Sequence, residues 1–205
     1  MSPPNHSFAG LIIRDVPAHP DNYSVGRGGH PIIAIVNHIM QGTQAGTDGW
    51  FANPAAHVSA QYSLGKDGSI HRHVPDSDTA YSNGNLRQPN VAAVPWLGDL
   101  LARHGNPNAL TVAVEWEGAQ VGTWGTVGRN LEGFLPGSIT HWWSPTPAQW
   151  AAGVVLTRAL CRAYAIPPDR AHLTRHGDFD SRTRFWCPGE GFNLAQLIAA
   201  VQAAP

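Results

Sequence analysis

Seven residues, PIIAIVN (Pro31–Asn37), form a nearly continuous apolar run rich in β-branched side chains. A run this short reads as a strand, and apolar residues at both parities read as burial on both faces. A strand of that kind needs a layer of structure on each side of its sheet. The run stops at His38, which opens into a segment read as a loop, IMQGTQAGTDGWFANP. A second strand lies in ALTVAVEWEG (Ala109–Gly118), with Thr111, Ala113, Glu115 and Glu117 on one face and Val112, Val114 and Trp116 on the other. Between them, AQYSLGKDGSIHRHV (Ala60–Val74) has turn residues at its centre and reads as a hairpin.

Helices separate these strands. VPWLGDLLARHG (Val94–Gly105) is a short amphipathic helix closed by glycine. The strongest helix begins after Thr146, an N-cap followed by Pro147 at N1 and by Gln149 in position for a capping box. Along it Trp150, Val154, Cys161 and Tyr164 share a face, and Pro167 and Pro168 end it. A last helix starts at Asn193, with Phe192 placed to staple onto Leu197. The expectation is a single α/β domain with a central mixed β-sheet flanked by helices. Residues 1–29 read as an irregular lead-in and residues 30–205 as the folded domain.

Bulk properties narrow the function. The 205 residues suffice for one domain with a real core. A net charge of -1 argues against a nucleic-acid partner. No stretch of 18 apolar residues is present, so membrane insertion is not expected. The N-terminal stretch has neither a basic region nor a long apolar run, so it does not read as a signal peptide. Two cysteines are too few for a disulfide framework, whereas 11 histidines invite metal or acid–base chemistry.

That chemistry concentrates in LTRHGDFDSRTRFWCPGEGF (Leu173–Phe192). His176 and Cys187 are favoured zinc ligands, but two ligands do not make a site. His38, at the end of a buried strand, is the best third, with His172 competing against His176. Read alone, Cys187 is a nucleophile, a metal ligand or, more often for such a residue, a small buried side chain. Glu115 is either a buried carboxylate fit for general-base work or one of two glutamates facing water at a sheet edge. Arg175, Arg182 and Arg184 either stabilise an oxyanion or pair with Asp178 and Asp180. Asp178 either orients a ligand or caps the turn. Trp124, Trp142 and Trp143 lie in Gly/Pro-rich sequence read as loops, suited to an open groove or to plugging the core.

The ordered series IVNHIMQGT, HVSAQYSLGKDGSIHRHVPD, TVAVEWEG and RHGDFDSRTRFWCPG resembles the type 2, zinc-dependent N-acetylmuramoyl-L-alanine amidases, which share a fold with peptidoglycan recognition proteins and many phage endolysins. The resemblance spans about residues 30–200. It implies one Zn2+ per chain held by His38, His176 and Cys187, which settles His176 over His172. The position of the catalytic tyrosine of some members is Ala60 here, and Glu115 matches the catalytic glutamate of members that lack that tyrosine. The family's lysine two residues before the last ligand is replaced by Phe185, with Arg184 the first candidate to take its place and Arg182 the second. Tyr81, Asn83, Trp124 and Trp142 are the expected substrate-binding residues. The resemblance implies hydrolysis of bacterial peptidoglycan by a monomer. The absence of a signal-peptide pattern fits a lysin made in the cytoplasm that reaches the wall after release, favoured by the extra loops and many tryptophans, with a cytoplasmic recycling enzyme as the alternative. Two rival activities stand beside it: a non-catalytic peptidoglycan-binding module and a hydrolase that uses Cys187 as nucleophile.

Overall fold

A computed structural model describes residues 8, 10–128 and 131–203. Its core is a six-stranded mixed sheet built from β1 (Ile13–Asp15), β3 (Ala34–Ile39), β4 (Tyr62–Leu64), β5 (Ile70–Arg72), β7 (Thr111–Trp116) and β10 (Leu173–Arg175), in the order β1-β5-β4-β7-β3-β10. The β4–β5 pair is the antiparallel hairpin; every other neighbouring pair in this sheet is parallel. The two-stranded β2 (Tyr23–Ser24) and β6 (Thr79–Ala80) pair separately. All six residues of β3 are buried, because β7 and β10 flank it and both sheet faces are covered.

One face carries the larger core. Ile35, Ile39, Val112, Val114, Trp116 and Tyr62 pack there with Leu156 and Leu160 of α3 (Pro147–Tyr164) and Leu197 of α5 (Leu194–Gln202). The opposite face packs Ala113 with Phe51 of α1 (Gln44–Ala52), and Val36 with Leu97 of α2 (Trp96–Ala102) and Phe179 of the single-turn α4 (His176–Phe179). The period-2 alternation of β3 and β7 thus turns Val36, His38, Ala113 and Glu115 to the α1/α2 side.

Several local expectations need revision. The lead-in at 1–29 is not wholly irregular: Ile13–Asp15 is an edge strand of the main sheet, and Tyr23–Ser24 pairs with β6. Residues 1–7 and 9 of that segment lie outside the described residues. The segment after His38 contains α1, capped by the Thr43 side chain on the Gly46 amide, so its glycines did not preclude a helix packed on the sheet. The sequence around Trp124 is a long hairpin, β8 (Val121–Gly128) against β9 (Leu131–His141), with glycines allowing close strand approach. Thr146 caps α3 as expected, but the Gln149 side chain bonds the Leu64 and Glu117 carbonyls instead of closing a capping box. After α2 the left-handed residue is His104, with φ 51°, and not the glycine that follows it.

Candidate active site

Parallel pairing gathers the site at the C-terminal ends of three adjacent strands. His38 on β3 stands in register with Glu115 on β7, on the same face. On the other side of β3, Arg175 of β10 is in register with Asn37, so His176, the next residue, arrives beside His38. The two imidazole centroids lie 4.5 Å apart. Cys187 enters from the following loop, where the Ile39 amide donates to its Sγ at 3.4 Å. Gln120 anchors that loop, donating through Nε2 to the carbonyls of Trp186 and Pro188 and accepting from the Trp143 amide.

The ligand atoms of His38, His176 and Cys187 all lie within 4.8 Å of one another. Burial holds His38 well below the ordinary histidine pKa and His176 at about 3. Both rings are therefore neutral near pH 7, each with a lone pair to offer. The thiol is buried too, and burial pushes its pKa far up. Two neutral imidazoles and a thiol in one tight cluster fit zinc, and three protein ligands leave a tetrahedral position open. His172 is elsewhere, paired with Asp169 at 2.7 Å.

Glu115 is not at a sheet edge. Its strand lies between β4 and β3, and its Oε1 is 3.9 Å from His38 Nδ1. Its Oε2 is buried without a hydrogen-bond partner, and burial raises the carboxyl pKa to about 8. Glu117 points away and accepts from the Lys66 amide.

These groups open onto a cavity of about 500 Å³ whose lining includes Tyr81, Glu115, Trp124 and Arg184. Arg184 donates to the Glu132 carbonyl of β9 and lies over the Trp186 ring at 5.8 Å. Arg182 is exposed and outside the lining, whereas Arg184 lines the same cavity as His38, His176 and Cys187. Phe185 packs against the main core. Asp178 caps α4 by accepting from the Arg175 amide and pairs with Arg170 at 2.6 Å.

Trp124, 47% exposed, stands at the groove edge against Phe134 and Trp186. Two of the expected substrate contacts are placed otherwise. Trp142 is half-buried beside Gly189, behind the Cys187 loop, and does not line the cavity. Asn83 is 1% exposed, with its side chain turned inward onto His38. Trp143 is buried against Trp116 and Phe192. Sequence reasoning passed over Trp50, which lines the groove from α1 at 51% exposure. Placing α1 correctly would have flagged it.

The chain is similar to known proteins over most of its length. Residues 28–190 match the N-acetylmuramoyl-L-alanine amidase family. The chain belongs to that family. It is 30% identical over 180 residues to N-acetylmuramoyl-L-alanine amidase A of Achromobacter lyticus, covering 86% of this chain and 85% of that protein. Among solved structures, a selenomethionine derivative of AmpD matches with TM-score 0.62 at 22% identity, covering 95% of this chain and 97% of that one. The endolysin amidase LysCS of Clostridium intestinale URNW matches with TM-score 0.57 at 19% identity, covering 97% and 100%. These likenesses establish the shared α/β fold of the amidase and its structural neighbours. Among the described residues no helix is long and apolar enough to cross a membrane.

Proposed function

We propose that this amidase hydrolyses bacterial peptidoglycan at the amide joining the lactyl group of N-acetylmuramic acid to L-alanine of the stem peptide, with one zinc ion per chain. The observation that carries the proposal is the juxtaposition of Glu115, whose Oε2 is buried without a hydrogen-bond partner, with the His38–His176–Cys187 donor set. His38, His176 and Cys187 would hold the metal. When bound, zinc supplies Lewis acidity to the scissile carbonyl and acidifies the attacking water.

Glu115 takes the proton of that water and returns one to the departing alanine amine. Its burial makes it a stronger base than a solvated glutamate, and its free Oε2 has no competing donor. Arg184, held in place by the Glu132 carbonyl, stabilises the charge that develops on the carbonyl oxygen. Tyr81, Trp50 and Trp124 line the groove that receives the substrate. Every one of these groups comes from one chain, so a monomer suffices. Action on the wall after release from the cytoplasm is the setting we favour over cytoplasmic recycling, since exposed indoles at both Trp50 and Trp124 suit a polymeric surface.

The Cys187-nucleophile reading is disfavoured by a thiol whose burial holds it protonated and by a His176 too weakly basic to activate it. The binding-module reading is disfavoured by the complete donor set. Chelation and alkylation separate these alternatives, with release of new alanine amines from purified sacculi as the assay. Loss of activity on chelation and recovery with zinc are expected. Activity that survives thorough metal removal but dies on alkylation rules the zinc reading out. Wall binding without amine release rules out the enzyme.

A further inference from the structure

We propose that Asn83 and Thr111 form a buried hydrogen-bond relay that fixes the tautomer of His38 and points its Nδ1 lone pair into the metal cluster. The proposal rests on the zinc reading for its consequence, but its geometry is independent of it. Asn83 is therefore a positioning residue and does not contact substrate.

The relay can be read from its far end. Thr111 Oγ1 lies 3.0 Å from the Pro107 carbonyl oxygen, which can only accept, so the hydroxyl hydrogen points there. The hydroxyl oxygen is then left to accept from Asn83 Nδ2 at 2.8 Å. With its amide nitrogen committed to Thr111, Asn83 turns Oδ1 toward His38 Nε2, at 3.1 Å. That oxygen only accepts, so His38 carries its hydrogen on Nε2 and its lone pair on Nδ1. Nδ1 is the nitrogen that faces Glu115.

The relay is shielded from water, which would otherwise offer either role to each partner. His38 is 2% exposed, and Asn83 and Thr111 are each 1% exposed. The Asn83 backbone is also fixed, its amide donating to Asn108 Oδ1 at 2.8 Å. Asn83 and His176 also line one shared cleft. Arg27 buttresses the far end, donating through one guanidinium nitrogen to the carbonyls of Ala109 and Thr111. Partners of this kind orient metal-binding histidines, and their loss typically costs roughly 10–100-fold in metal affinity.

The test uses the whole chain with two readouts. In metal-free wild-type protein, a long-range proton–nitrogen NMR spectrum is expected to show His38 protonated at Nε2. In competition with a fluorescent chelator, Asn83→Leu is expected to bind zinc roughly 10–100-fold more weakly than wild type. Asn83→Asp retains an acceptor for Nε2–H and should stay within a few-fold. Thr111→Val removes the partner that orients Asn83 and leaves the residue-83 loop unaltered. It should also weaken zinc, and it decides the matter if Asn83→Leu fails to fold. A proton on Nδ1 in the metal-free wild type overturns the relay. So does wild-type zinc affinity in folded Asn83→Leu or Thr111→Val. A wild-type protein that binds no zinc defeats the metal reading instead, and the tautomer measurement still decides the relay.

Discussion

Glu115→Gln isolates the carboxylate with almost no change in shape. An ordinary glutamate titrates near 4.5, and burial moves this one to about 8 in the metal-free protein. The folded chain therefore holds a proton that the unfolded chain has released between these values. Stability tied to Glu115 is complete below about 4.5 and is lost as pH rises through about 8. At about 1.4 kcal/mol per pH unit, that window sets a ceiling of roughly 5 kcal/mol. The side chain retains 16% exposure, so relaxation and water access reduce the expected effect to about 1–3 kcal/mol. Denaturant unfolding of metal-free wild type and Glu115→Gln, repeated across this window, measures it. The wild type should lose stability relative to the variant as pH rises. In the zinc-loaded proteins the variant should keep its metal yet lose roughly 10²–10⁴-fold in turnover. A stability difference that is flat with pH would show that burial does not control this carboxyl. Turnover near wild type would remove Glu115 as the base.

Cys187→Ala should reduce bound zinc from one ion per chain to none, as read by elemental analysis of the folded protein, because two histidines alone hold the metal poorly. Arg184→Ala should lower kcat by roughly 10²–10³-fold, while Arg182→Ala, outside the cavity, should leave kcat unchanged. Gly153→Ala tests the core behind the site. Its Cβ would lie 2.0 Å from Trp116 Cη2, and thermal unfolding should report a loss of about 1–3 kcal/mol with zinc stoichiometry preserved.

The strands were legible because their patterns are local. PIIAIVN and TVAVEW show burial on both faces and period-2 alternation directly in the residue order. The helix after Thr146 carries its own cap and its own stop. The misread segments are those whose structure depends on distant partners. The Gly-rich stretch of α1 is helical because Phe51 finds a place on the sheet beside Ala113. The Trp124 hairpin forms through pairing between two stretches whose glycines suggest loops.

The same division runs through the site. The order of motifs in the chain identified His38, Glu115, His176 and Cys187 as candidates, since residue type and sequence neighbourhood carry that much. Their convergence was decided by the parallel order β7-β3-β10, which aligns three strand ends that are far apart in sequence. That Arg184 and not Arg182 lines the cavity likewise depends on the loop's path, which residue order does not specify. Asn83 shows the limit most clearly. Its sequence setting suggested a groove contact, whereas the fold buries it between His38 and Thr111. A polar side chain acquires its role from the partners that desolvation forces on it, and only tertiary packing determines which groups are desolvated together.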